Sequence, residues 1–231
     1  MTDREQALRP VFGYGTAAVD RNKVLRNTYG LLALSLVPTV AGAWIGVITG
    51  MAQFFHGWLG LLVFLGGAFG FMFAIEKNSH RAAGVYILLA FTFFMGVMLS
   101  GLIASILGLR NGVALIMTAF AGTASIFAAM AGLSTVIRRD LSGMGQWLFV
   151  GVLAILVGGV INVFVGSTAA MMALSVAAIG IFSALMLYDL KRIVDGGEDN
   201  YIRATLALYL DAFNVFQSLL ALLGIFGGEH D

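Results

Sequence analysis

The chain has no cysteine and only two prolines, Pro10 and Pro38, and just 11% of its 231 residues are charged. The first absence excludes disulfides, thiol nucleophiles and thiolate metal sites. The shortage of charge, set beside 60% hydrophobic residues and a mean hydropathy of +0.95, excludes a soluble domain of this size. A net charge of +1 gives no reason to expect a nucleic-acid partner. Hydrolase signatures are missing too, with neither a Gly-x-Ser-x-Gly elbow nor a His-Glu-x-x-His metal motif. His56, His80 and His230 lie far apart without ligand spacing, so no cofactor is expected and the chain does not read as an enzyme.

What is present is a series of apolar runs of roughly 20 residues, the length that crosses about 30 Å of hydrocarbon. Seven recur, over approximately 28 to 50, 56 to 75, 83 to 107, 113 to 137, 146 to 165, 169 to 189 and 203 to 226. The expected fold is therefore an all-α integral membrane protein of seven transmembrane helices. It divides into a polar N-terminal segment 1–27, a membrane domain 28–226 and a short tail 227–231. The N-terminal segment has no early apolar stretch or small-residue cleavage site, so the first span reads as an uncleaved signal.

Cytoplasmic loops carry the excess of Lys and Arg, and the bias here is strong. Arg4, Arg9, Arg21, Lys23 and Arg26 precede the first span; Lys77 and Arg81, Arg138 and Arg139, and Lys191, Arg192 and Arg203 fall in alternate connections. Only Arg110 lies on the other side. The pattern predicts a cytoplasmic N-terminus and an outside C-terminus, with the lipid bilayer as first partner.

Thirty glycines suit helices that approach closely where water cannot drive association. Gly42 and Gly46, Gly46 and Gly50, and Gly66 and Gly70 are each four apart. Pro38 inside the first span predicts a kink. Trp44, Trp58 and Trp147 are expected near the interfaces.

Against this background two acids stand out, Asp189 after Leu-Met-Leu-Tyr and Asp211 after Leu-Tyr-Leu. An ionisable group at bilayer depth is costly and commonly marks an ion or proton route. Asp211, Asn214 and Ser218 share one helical stripe, which Gln217 widens. Four polar residues in one span imply that the last helix is central and surrounded by the other six. Asn162 is a lone amide whose expected role is interhelical adhesion. A symmetric hairpin about the Asp195 to Asn200 turn would set Asp189 opposite a position near 206, so spacing permits contact with Asp211 without requiring it. If the carboxyls meet, they resist being charged together and titrate as a pair. A shared proton would bridge them and its loss would repel them, which describes a proton sensor and gate whose oxygens suit transient contact with a hard cation such as calcium.

The stretch from Tyr188-Asp189 through Gly196-Gly197-Glu198, Asn200-Tyr201-Ile202-Arg203-Ala204-Thr205 and Leu208-Tyr209-Leu210-Asp211 to Leu222-Leu223-Gly224 resembles the Bax inhibitor superfamily. Lys23-Val24-Leu25-Arg26-Asn27-Thr28-Tyr29 and Arg139-Asp140-Leu141-Ser142 resemble its bacterial YccA-like branch. The resemblance implies six helices around a central seventh and, for some members, a pH-sensitive calcium leak governed by paired aspartates, whose positions Asp189 and Asp211 match. It also implies an arginine at the cytoplasmic end of helix two, where this chain has Ile75-Glu76-Lys77. Lys77 is then a candidate substitute and Glu76 a candidate third acid. Asn214, Ser218, Glu76 and Lys77 are accordingly candidate pathway or gate partners.

Two other functions remain in view. The resemblance to YccA-like proteins implies a bacterial inner membrane and an association with modulating the membrane-anchored FtsH protease, which would make the N-terminal segment a tether or degradation handle. Tyr188-Asp189 is also similar to the first half of the intramembrane aspartyl protease signature. Leu208-Tyr209-Leu210 before Asp211 departs from the Gly-x-Gly-Asp of its second half, and no Pro-Ala-Leu follows.

Overall fold

The computed structural model describes the backbone of residues 11–51 and 57–228 and the side chains of 22–51 and 57–227. Arg4, Arg9, Pro10, His56, His230 and most of the tail 227–231 lie outside them, as does the side chain of Arg21. Seven helices follow in order: α1 (Val11–Ile48), α2 (Gly57–Asn78), α3 (Ala82–Leu107), α4 (Gly112–Val136), α5 (Met144–Val165), α6 (Thr168–Val194) and α7 (Tyr201–Gly228). All seven are long and apolar enough to span a bilayer, and no strand occurs among the described residues. The chain is an all-helical integral membrane protein.

The helices depart from the expected spans mainly at their ends. Among the described residues α1 runs from Val11, so helix crosses the expected boundary at 28. It also runs on through Pro38. The sixth span was expected to stop at Asp189, but α6 continues to Val194. The acid therefore lies inside the helix, more than a turn from its end.

Close approach sets the α1 and α3 pair. A Cβ on Gly42 would strike the Phe93 carbonyl, one on Gly46 the Ser100 side chain, and one on Gly96 the Thr39 carbonyl. Glycine lets the two backbones touch, as close helix packing in a membrane requires. The Gly66 and Gly70 pair was expected to work similarly, yet nothing lies within 4 Å of either Cβ position. Those two face outward, and Gly67 instead receives the Phe94 ring.

α7 packs against α1, α2, α3, α4 and α6, while α5 packs on α6 and reaches α2 but makes no close backbone approach to α7. Its inner face carries the fully buried Leu208, Tyr209, Val215 and Leu220. The first three of these α7 residues join Leu88, Phe91 and Met95 of α3 and Met186 and Leu190 of α6 in the core, and Leu220 packs with Ile106 of α3 and Ala119 of α4. Tyr209 Oη lies 2.9 Å from Thr39 Oγ1 of α1 and donates to the Thr92 carbonyl of α3 at 3.4 Å. Thr205 Oγ1 donates to the Thr28 carbonyl of α1 at 3.3 Å. Interhelical bonds of this kind average about 0.6 kcal/mol in a membrane bundle, so they set register while packing holds the helices together.

No residue of α5 is buried, as suits a helix facing lipid. Trp44, Trp58 and Trp147 are all well exposed and stand near helix ends, where amphipathic rings meet headgroups.

Alanine at Gly96 forces α3 away from the α1 backbone. The gain in helix propensity, about 1 kcal/mol, does not offset overpacking of about 1–3 kcal/mol. Thermal unfolding of detergent-solubilised Gly96→Ala is expected at lower temperature than wild type. Gly66→Ala, with open space around it, should match or exceed wild type; equal losses in both would contradict the packing described.

Candidate functional site at the paired carboxyls

The basic loops gather at one end of the bundle, and the site lies on the α7 face turned toward α2 and α6 at that end. The connection between α6 and α7 is built to hold its shape. Gly196 takes φ +82°, a left-handed turn that glycine accepts without strain. Gly197 N donates to the Arg192 carbonyl at 2.8 Å. Arg192 Nη2 pairs with Glu198 Oε2 at 2.9 Å. Asn200 caps α7, its Oδ1 accepting from Ile202 N at 2.9 Å and Arg203 N at 3.2 Å, which supplies partners to otherwise orphaned N–H groups. Its Nδ2 donates to the Ser79 carbonyl at 2.8 Å, tying the start of α7 to the α2–α3 turn.

Asp189 and Asp211 come together within side-chain hydrogen-bonding reach. Asp211 is 4% exposed and Asp189 is partly buried. Their contact spans an offset that a symmetric hairpin would not close. Asp189 lies five residues before the end of α6 and Asp211 ten residues into α7, a difference of about 7.5 Å at 1.5 Å per residue. Side chains tilt toward the N-terminus of their own helix. In this antiparallel pair Asp189 leans away from the basic end and Asp211 leans toward it, so the two converge.

No N–H or hydroxyl among the described residues donates to Asp211 Oδ2. A hydrogen bond between two carboxyls exists only when one of them holds a proton. The arrangement can therefore share a proton or, without it, set two charges against each other in a poorly solvated place.

A cavity of about 400 Å³ opens beneath the pair toward the basic end, lined by Glu76, Asp189, Arg192, Glu198 and Arg203 with Ile193, Ala204, Leu206, Ala207 and Leu210. Arg203 Nη2 of α7 pairs with Glu76 Oε1 of α2 at 2.5 Å. Helix two thus contributes the acid and α7 the guanidinium, the reverse of the arrangement implied by the resemblance. Lys77 neither lines this cavity nor makes an ion pair among the described residues. Arg203 and Arg192 are the site residues that sequence reasoning missed. Both had been read as topological markers; the signal available was Arg203 one turn ahead of Ala207 and two ahead of Leu210, on the stripe of Asp211 and Asn214.

Asn214 and Ser218 are brought not to this cavity but to another, of about 470 Å³, toward the opposite end. It is walled by α5, α6 and α7, and Asn162, Ser167, Ser175 and Gln217 also line it. Asn162 does not bridge two helices by its oxygen. Its Oδ1 accepts from Ser167 N at 3.1 Å, closing the α5–α6 turn, and Ser167 Oγ caps α6 by accepting from Ala170 N at 3.2 Å.

No group of three or more His, Cys, Asp or Glu side chains forms a metal cluster among the described residues. The Arg139-Asp140-Leu141-Ser142 loop is a local turn away from both cavities. There Ser142 N and Oγ donate to Asp140 at 2.8 and 2.9 Å, and these bonds hold its carboxyl below the usual range.

The family described as Inhibitor of apoptosis-promoting Bax1 matches residues 21–228. An uncharacterized protein of Neisseria meningitidis serogroup A is 34% identical over 222 residues, 95% of this chain and 98% of that one. Modulator of FtsH protease YccA from Escherichia coli K12 is 35% identical over 209 residues, 90% of this chain and 93% of its own. An uncharacterized protein of Pseudomonas aeruginosa is 35% identical over 207 residues, 89% of this chain and 90% of its own. With that coverage by family and relatives alike, the chain is a membrane protein of the Inhibitor of apoptosis-promoting Bax1 family, on its YccA-like branch.

Proposed function

We propose that this protein is a proton-sensitive leak for calcium or another cation across the bacterial inner membrane, with Asp189 and Asp211 as sensor and gate. The observation that carries the reading is the placement of the two carboxyls. Asp211 is buried at membrane depth against Asp189, and a polar cavity lies on either side of it along α7. A charged Asp near a helix centre costs about 3 kcal/mol on insertion scales, so a merely stable bundle gives no reason for Asp211, ten residues into α7.

In the shared-proton state the pair draws α6 and α7 together. Without the proton, repulsion acts between the same helices and two carboxylates face any cation that arrives from the basic end, taken here as cytoplasmic. Carboxylate oxygens suit hard cations, and two of them make a passing contact rather than a tight cage. The Glu76–Arg203 ion pair links α2 to α7 across the mouth.

A second reading concerns the whole chain. The relative of 35% identity named as a modulator of FtsH protease supports FtsH as a membrane partner here. The segment ahead of the first span is then the tether, and the two roles are compatible in one molecule.

Calcium flux from proteoliposomes across a pH series tests the first reading. Wild type is expected to change flux severalfold across the series. Asp189→Asn and Asp211→Asn, each replacing one titrating group with a neutral amide, should give a flattened profile. Flux that rises with pH assigns conduction to the doubly charged pair; flux that falls assigns it to the proton-sharing pair. Flux independent of both pH and substitution would refute the sensor.

For the second reading, removal of residues 1 to 22 should abolish copurification with FtsH while leaving calcium flux at the wild-type level. Undiminished copurification of the truncated chain would remove the tether role.

A further inference from the structure

The larger cavity lies where α5 stands off from α7. We propose that it is a water-filled vestibule, open on the side opposite the basic loops, that brings hydrated cations to within one helical turn of Asp211. This deepens the leak reading and rests on it for the identity of the traffic, but not for the presence of water.

The argument starts from unpartnered polar groups. In hydrocarbon each hydrogen-bonding group left unsatisfied costs several kcal/mol. Gln217 and Ser218 on α7 and Ser175 on α6 line the cavity, and none of their side chains forms a hydrogen bond with another described residue. Asn214 bonds only back to the Leu210 carbonyl, at 2.8 Å, which leaves its oxygen toward the space. Asn162 uses its Oδ1 on the turn, which leaves its Nδ2. No side-chain atom of Ser175, Ser218, Asn214 or Asn162 is among the sealed and unsatisfied ones, which among the described residues lie on Thr28, Arg203 and Asp211, and Gln217 is exposed. These polar groups open to the cavity from within a largely apolar wall, and its volume of about 470 Å³ is ample for several waters at about 30 Å³ each.

The register along α7 gives this water a purpose. Residues up to Leu210 line the inner cavity and residues from Asn214 onward line the outer one. Asp211 falls in the single turn between and lines neither. The outer cavity has no charged side chain, so its amides and hydroxyls offer oxygen to a cation without trapping it. The acid at its base is the nearest source of charge selectivity.

The absence of cysteine makes the inference directly testable in the full-length protein. Single substitutions Ser218→Cys and Gln217→Cys are placed in the cavity, and Val176→Cys, whose side chain is exposed on α6 beside Ser175, serves as the lipid-facing control. Intact cells are treated with charged, membrane-impermeant methanethiosulfonates. Because only a hydrated thiol ionises to the reactive thiolate, Ser218→Cys and Gln217→Cys should react at least roughly tenfold faster than Val176→Cys. The cationic reagent should outpace the anionic one at Ser218→Cys.

Failure of both cavity cysteines to react, or reaction no faster than at Val176→Cys, would overturn the vestibule. Faster reaction with the anionic reagent would overturn its assignment to cations. Labelling reports water access regardless of flux. A labelled vestibule with flux indifferent to pH and to the aspartate substitutions would therefore leave the vestibule standing and remove the sensor alone.

Discussion

The structure depends on α7 meeting opposite demands on its two sides. On one side, Tyr209 is buried and joined to both Thr39 and the Thr92 carbonyl, while its ring meets Phe91 edge-on at 6.1 Å. That contact is available only because α1 and α3 lie close enough, through Gly42, Gly46 and Gly96, to present one groove to α7. On the other side Arg203, Leu210, Asn214, Gln217 and Ser218 border open space. A helix that must carry polar groups beside a cavity needs its register fixed elsewhere, and the tyrosine face does this. The same division explains why α5 makes no close approach to α7: its place beside that helix is taken by the cavity.

The charges near the basic end form a layered arrangement rather than a set of independent bridges. Glu76–Arg203 and Arg192–Glu198 are partly exposed pairs, worth about 0–1 kcal/mol each in stability. Their value lies in position. Together they place two guanidinium groups around the cavity beneath the carboxyl pair, one on each of the helices that carry the acids. Across the mouth of that cavity the guanidinium of α7 is paired with the Glu76 carboxylate of α2.

Much of this was legible in the residues. Run length and charge punctuation gave seven helices because bilayer thickness imposes one scale on every span. The polar stripe of α7 pointed to a helix surrounded by the other six, since lipid disfavours such a stripe; five of them pack on it, and α5 stands off because the outer cavity lies between. Other features depend on three-dimensional facts that a linear string does not carry. Gly42 and Gly66 sit in the same kind of four-residue spacing, yet only Gly42 faces a neighbouring backbone; which side of a uniformly apolar helix is inward is set by its partners. Lys77 was a plausible cation by sequence proximity to Glu76, whereas Arg203 is 127 positions from that acid in sequence numbering and adjacent in space. Asn162 read as adhesive between helices because its turn, which takes up its oxygen, was not visible. The meeting of Asp189 with Asp211 was left open by counting along the hairpin, because counting treats side chains as perpendicular to the helix axis.

That convergence of leaning side chains has a mechanical meaning. Two groups approaching along opposed slants are acutely sensitive to axial sliding, more so than groups that meet square across an interface. A shift of α7 away from the basic end by one residue's rise, about 1.5 Å, lengthens the gap directly, and the reverse shift compresses it. The separation of the two carboxyls is thus set by the axial register of α6 against α7, and a displacement of that size is the difference between oxygens that meet and oxygens that do not.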